Sequence, residues 1–210
     1  MRRSSVRHRA GVAPVLFGAA LLGAARPAAA QATSQCNAVA GNLVANCGFE
    51  SGSFSGYTLS GNTTNSGVDA FSAHTGGYGA YFANRGGSQT LAQTFATTAG
   101  GRYTFSFFLL SEDALPGTAF FRAFFDGQQV FDLETQAGLN YTRYSMTTTA
   151  TGAATEMRFV VENDPSFYQL DDVSVAPAAT TTPEPASAAL VGAGLLSLAA
   201  AARRRRASWA

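Results

Sequence analysis

The residues that could do chemistry are few. The 210-residue chain has two histidines, two cysteines and thirteen acids. His8 lies near the start. His74, in His74-Thr-Gly-Gly-Tyr-Gly79, reads as a surface turn. An enzyme needs a nucleophile beside a base, or a carboxylate pair set about 5–9 Å apart in space. Glu112-Asp113 and Asp132/Glu134 supply carboxylates, but closeness in sequence does not set that separation. No catalytic constellation is visible, and the chain is expected to be non-catalytic. Two cysteines and two histidines also exclude a Cys- or His-rich zinc site.

All fourteen basic residues are arginine; there is no lysine. Arg2, Arg3, Arg7, Arg9 and Arg26 precede residue 31, and Arg203, Arg204, Arg205 and Arg206 sit near the end. The formal net charge of +1 therefore hides a segregation. Gln31–Thr182 holds five arginines and twelve acids, a net −7. An acidic body excludes nucleic acid as a partner, because phosphates demand basic surface.

Both ends read as addresses. Residues 1–30 form a signal peptide, with a basic start, an apolar stretch from Val12 to Ala25, and Ala28-Ala29-Ala30 as cleavage site. Export places Cys36 and Cys47 in an oxidising compartment, so a Cys36–Cys47 disulfide is expected. At the other end, 178–185 is a linker of small residues, Thr and Pro. Residues 186–202 carry no charge and as a helix would be about 25 Å long, near the minimum for one transmembrane span. The arginines of the 203–210 tail would stay cytoplasmic.

Pro183-Glu184-Pro185, an apolar helix and an arginine cluster at the very end resemble the PEP-CTERM sorting signal. The resemblance implies recognition and cleavage of the tail by an exosortase, in a Gram-negative bacterium that makes exopolysaccharide. It implies an inner-membrane intermediate and a final place at the cell surface or outside the cell.

Between these ends, residues 31–177 are long enough for one core. Short alternating or aromatic runs bounded by Gly, Asn, Asp and Pro predict an all-β fold, an antiparallel β-sandwich. The clearest run is Gly101–Ser111, with Tyr103, Phe105, Phe107 and Leu109 on one face. Other predicted strands are Leu43–Phe49, Gly56–Ser60, Ala80–Ala83, Gln89–Ala96, Thr118–Phe125, Gln128–Leu133, Tyr141–Thr149, Thr155–Glu162 and Phe167–Val175. Asp126-Gly127 signals a tight hairpin.

Asn42-Leu-Val-Ala-Asn-Cys-Gly-Phe-Glu50 resembles the opening strand of carbohydrate-binding modules of families 4, 9 and 22. Phe167-Tyr-Gln-Leu-Asp-Asp-Val-Ser-Val175 resembles their closing strand, and Gly100-Gly-Arg-Tyr-Thr-Phe-Ser-Phe107 a central one. The resemblance implies a galactose-binding-like jelly roll and an extracellular polysaccharide as partner. Gly56-Tyr57-Thr58-Leu59 departs from it, since such modules often carry Trp at the second position. The alternative is a structural surface protein without a dedicated ligand, with a glycosidase the least favoured reading.

The resemblance also implies a structural calcium. Its ligands would be Glu50 and Asp171, with carbonyls from Gly48 and from the Thr75–Gly79 loop; calcium favours six to eight oxygens. Strict alternation along a strand would point Asp171 at the site and Asp172 away. Independently of the resemblance, Phe120, Arg122 and Phe124 fall on one side of their strand and form a candidate ligand strip, joined by Tyr144 and Arg158. The aromatic loop Asn163–Tyr168 is a rival.

Overall fold

The computed structural model describes residues 33–112, 119–134 and 138–179. The expected signal peptide, the Pro183–Pro185 motif, the apolar segment and the arginine tail lie outside these residues. Among these described residues, eight antiparallel strands follow a short 3₁₀ turn, Gln35–Ala38. They are β1 (Thr58–Gly61), β2 (Asn65–Asp69), β3 (Gly79–Ala96), β4 (Arg102–Ser111), β5 (Ala119–Phe125), β6 (Gln128–Glu134), β7 (Leu139–Thr149) and β8 (Ala154–Pro177).

Two of these strands serve both layers. The first half of β8 pairs with the second half of β3 and with β5; β1 and β6 complete that sheet. The second half of β8 pairs with the first half of β3 and with β4; β2 and β7 complete the other. The predicted pairs Ala80–Ala83/Gln89–Ala96 and Thr155–Glu162/Phe167–Val175 are thus halves of single strands. Register shifts in β3 between Phe82 and Gln89 mark where the chain passes from one layer to the other. The supposed loop Asn163–Tyr168 is strand, and Tyr168 is fully buried.

Alternation fills the space between the layers. On β4, Tyr103, Phe105, Phe107 and Leu109 point inward; on β5, Phe121, Ala123 and Phe125 do. Phe107 meets Phe121 at 5.7 Å and Phe159 at 5.2 Å between ring centroids, across the two sheets. Each such ring contributes roughly 1.5–3 kcal/mol by leaving water. Asp126 and Gly127 both have positive φ, 53° and 76°, as a two-residue hairpin of matching twist requires.

One predicted strand is absent. Leu43–Phe49 is irregular, with a turn over Ala45–Gly48 and Asn46 and Phe49 at positive φ. A repeating ladder is replaced by isolated ties. Leu43 N–H donates to the Val175 carbonyl at 2.8 Å, and Val173 N–H to the Cys47 carbonyl at 2.9 Å. The Asn42 side-chain oxygen accepts from Val44 and Val175 N–H. The Cys36–Cys47 disulfide forms, with Cα atoms 6.0 Å apart.

Phe107→Ala should cost about 3–5 kcal/mol, because the site is enclosed by aromatic neighbours and cannot collapse. Phe71→Ala, at a side chain 93% exposed, should change stability by less than about 0.5 kcal/mol. Urea unfolding of both variants checks the pair; similar losses would refute this assignment of the core.

Candidate functional site

Two places on the sandwich gather polar groups. The first joins the two ends of the described body. Between Ser106 and Phe108 on β4, the register against β8 advances from Ser174 to Asp171, one residue more than β4 does. The extra residue is a β-bulge, and Asp172 takes φ 51° within it. Alternation breaks there, so both Asp171 and Asp172 are buried against the same loop. The expectation that Asp172 points away is therefore corrected.

The two carboxylates have different surroundings. Asp172 Oδ1 accepts from Ser34 Oγ at 2.6 Å and Cys36 N–H at 3.0 Å. Its Oδ2 accepts from Thr75 Oγ1 at 2.7 Å and lies 2.8 Å from His74 Nδ1. Burial opposes the Asp172 charge, but these donors outweigh it and hold its pKa below the ordinary range. Asp171 Oδ2 accepts only the backbone N–H groups of His74 and Thr75, and Oδ1 that of Asp172. Burial, then the neighbouring Asp172 charge, push Asp171 up to about 7. Among the described residues no basic side chain pairs with it.

Glu50 reaches the same loop. Both its oxygens accept from Gly77 N–H, at 3.1 and 3.0 Å. Gly76, at φ 76°, lies so near that a Cβ there would strike the Glu50 carboxylate. Gly48 packs against Ser34, whose side chain a Cβ would strike, with Asp171 Oδ1 just beyond. Gly79 opens β3, opposite Asp69. Thr75 contributes its N–H to Asp171 and its hydroxyl to Asp172.

Two features bear on the expected calcium, although among the described residues no group of three or more His, Cys, Asp or Glu side chains is gathered to hold a metal ion. Asp171 is a fully buried carboxylate without a countercharge, and the Tyr57 hydroxyl is buried without a partner while feeling the Asp171 charge. Glu50 and Asp171, brought to one loop from opposite chain ends, are oxygen donors of the kind calcium takes. Sequence reasoning missed Ser34, Asp172 and the buried Tyr57 hydroxyl. His74 is more than a turn residue: its ring stacks on Phe108 at 3.9 Å.

The second place is the outer face of the β6-β5-β8-β3-β1 sheet. Cα pairing sets Thr58, Ala92, Arg158 and Phe124 in one row, and Ser60, Thr90, Val160, Arg122 and Asp132 in the next. Thr58, Ser60, Thr90, Gln93, Glu156 and Arg158 line a hollow of about 500 Å³. Arg158 lies 4.8 Å over the Phe124 ring, its Nη1 3.5 Å from Glu156 and its Nε without a partner.

The structure thus brings together Phe120, Arg122, Phe124 and Arg158. Arg122 covers the Phe120 ring at 4.2 Å and is held by Asp132 and Glu134. Those two acids thereby share one guanidinium. Tyr144 does not join the strip. It pairs with Phe107 on the interior side of β7 and packs on Phe131 at 4.5 Å.

No protein-family model and no curated protein matches the chain. Solved structures do. One is TmCBM61, a carbohydrate-binding module, in complex with β-1,4-galactotriose. It is 22% identical with a TM-score of 0.56, over 65% of this chain and 99% of that one. Another is the enzymatically active domain of bacteriophage CBA120 tailspike protein 4. It is 16% identical with a TM-score of 0.50, over 65% of this chain and 21% of that one. The chain thus spans about a fifth of the tailspike domain. These likenesses establish the fold of the body alone, a β-sandwich like that of TmCBM61.

Because Asp171 keeps its proton to about pH 7 when folded, but only to about 4 when unfolded, the folded chain binds the extra proton between those values. In chelator, stability should therefore fall as pH rises from 4 to 7, by on the order of 4 kcal/mol. Asp171→Asn should flatten that fall. Denaturant unfolding at pH 5 and pH 8 decides it; equal slopes in both proteins would contradict the buried charge.

Proposed function

We propose that the chain is an exported cell-surface or matrix protein whose sandwich is a non-catalytic polysaccharide-binding module. The polysaccharide would run along the outer face of the β6-β5-β8-β3-β1 sheet. The observation that carries this reading is the 500 Å³ hollow on this face, lined by the Arg158 side chain beside Glu156. Hydroxyls from Thr58, Ser60 and Thr90 line it, and Glu156 supplies acceptors for sugar hydroxyls. The like-folded TmCBM61 bound to a β-1,4-linked trisaccharide supports a saccharide as ligand.

In this reading the tail from Pro183 serves delivery. An exosortase would remove it after membrane insertion, and the body would associate with exopolysaccharide. Calcium would be held by Glu50 and Asp171, with carbonyl oxygens from Gly48 and the Thr75–Gly79 loop. It would supply the positive charge that Asp171 lacks. The protein groups around it bind and position; Ser34, Thr75 and His74 keep Asp172 ionised alongside.

A second reading is a structural surface protein with no dedicated ligand. One observation favours it: the Phe120 and Phe124 rings are covered by the chain's own guanidiniums, which leaves less ring surface for a sugar. Affinity electrophoresis of the purified full-length chain through gels of neutral plant and bacterial polysaccharides separates the readings. A binding module should be retarded by at least one, and Arg158→Ala should weaken that retardation about tenfold, the loss of one charge-assisted contact. Mobility unchanged in every gel would favour the structural reading.

Calorimetric titration with calcium chloride should give one site in the wild-type chain. Glu50→Gln and Asp171→Asn should each remove most of the heat. The same heat in all three proteins would dismiss these ligands.

A further inference from the structure

The Phe167 end of β8 lies on the other sheet, away from the hollow described above. Register there sets Gly67, Tyr81, Gln169 and Leu110 in one row across β2, β3, β8 and β4. Asp69 stands two residues along in one direction, and Glu112 and Phe167 two residues along in the other. Of these, Asp69, Tyr81, Glu112, Phe167 and Gln169 line a depression of about 260 Å³ with Phe71 and Ser72.

Aromatic rings make its walls. The Tyr81 ring lies across Gly67, where any Cβ would press into it. Phe167 meets Tyr81 edge-on at 6.1 Å. Phe71 stands on the rim, the one large apolar side chain so exposed among the described residues. It has no packing role that would explain its place.

The polar groups have a single sign. Asp69 Oδ1 accepts from Ser72 N–H at 2.9 Å, and Glu112 Oε1 accepts from the Gln169 amide at 2.7 Å. Among the described residues no basic residue lines the depression. Neither acid forms an ion pair among the described residues. Carboxylates at two ends and ring faces between them attract a cation twice over, by charge and by the ring quadrupole. An anion is repelled. A neutral sugar could stack on a ring but would leave the two acids unneutralised. Acids at opposite ends suit an extended ligand with repeated ammonium groups and apolar CH faces that lie on rings.

We propose that this depression is a second ligand site, and that it takes an ammonium-bearing glycan, a polymer of unacetylated amino sugars. The inference goes beyond the polysaccharide face of the opposite sheet and shares no residue with it.

The test is calorimetric titration of the purified full-length chain with glucosamine hexamer and with N-acetylglucosamine hexamer. The pH is one at which the amines are charged and the salt is moderate. The glucosamine oligomer should bind, and the acetylated one about tenfold more weakly or worse, the equivalent of about 1.4 kcal/mol. Phe71→Ala should weaken the glucosamine oligomer several-fold while leaving the charge of the chain unchanged, which separates the depression from general attraction to an acidic body. Glu112→Gln, at an exposed position, should also weaken it. Arg158→Ala should not. Absence of binding, equal binding of both oligomers, or binding indifferent to Phe71→Ala would overturn the proposal. None of those results touches the gel measurement with neutral polysaccharides.

Discussion

Two adjacent buried carboxylates govern how the sandwich is closed. Asp171 and Asp172 sit at a bulge in the long last strand and receive the His74–Thr75 loop on one side and the Ser34–Cys36 segment on the other. Burying one carboxylate is costly, and burying two side by side costs more unless donors or a cation compensate. Asp172 is compensated by protein donors. Asp171 has three backbone N–H groups and no countercharge. The opening turns, which lack a ladder of their own, depend on this cluster, on the ties to Val173 and Val175, and on the Cys36–Cys47 disulfide. The disulfide closes a short loop, and its constraint of the unfolded chain is worth about 3 kcal/mol at most.

The same economy of strands shapes the two faces. Because β3 and β8 each serve both layers, the interior is one continuous set of rings from Phe105 to Phe159 and Phe121. Their outward residues therefore differ by layer. The first half of β8 presents Glu156, Arg158 and Val160 to one side of the molecule. The second half presents Phe167 and Gln169 to the other. A single strand thereby furnishes both candidate ligand surfaces. Function in this fold sits in such outward residues, since the core rings fix only the scaffold.

Much of the scaffold is legible in the sequence because alternation has a period of two and aromatic residues are abundant. Tyr103, Phe105, Phe107 and Leu109 declare their face without any structure, and so do Phe120, Arg122 and Phe124. Other features have no local signal. Asn46 and Phe49 adopt positive φ although neither is glycine, so Leu43–Phe49 imitates a strand in its pattern of apolar residues. The bulge at Asp172 depends on pairing with β4, and a strand read alone gives no hint of it. Tyr144 looks like its neighbours on the ligand strip, but pairing with Phe107 carries it to the interior. The bridging lengths of β3 and β8 are hidden by Gly86, Gly87 and Pro165, which read as strand ends. The resemblance in Asn42–Glu50 and Phe167–Val175 located the region that joins the chain ends, while the division of labour between Asp171 and Asp172 needed coordinates.

We propose that a cation completes the closure around Asp171; the direct measure is the thermal melt of the full-length chain in millimolar calcium and in chelator. For micromolar affinity, linkage adds about 4 kcal/mol. In a chain of this size that raises the melting temperature by on the order of 10 °C. The account expects such a rise in the wild type and little in Asp171→Asn. Identical melting temperatures in calcium and chelator for the wild-type chain would contradict it.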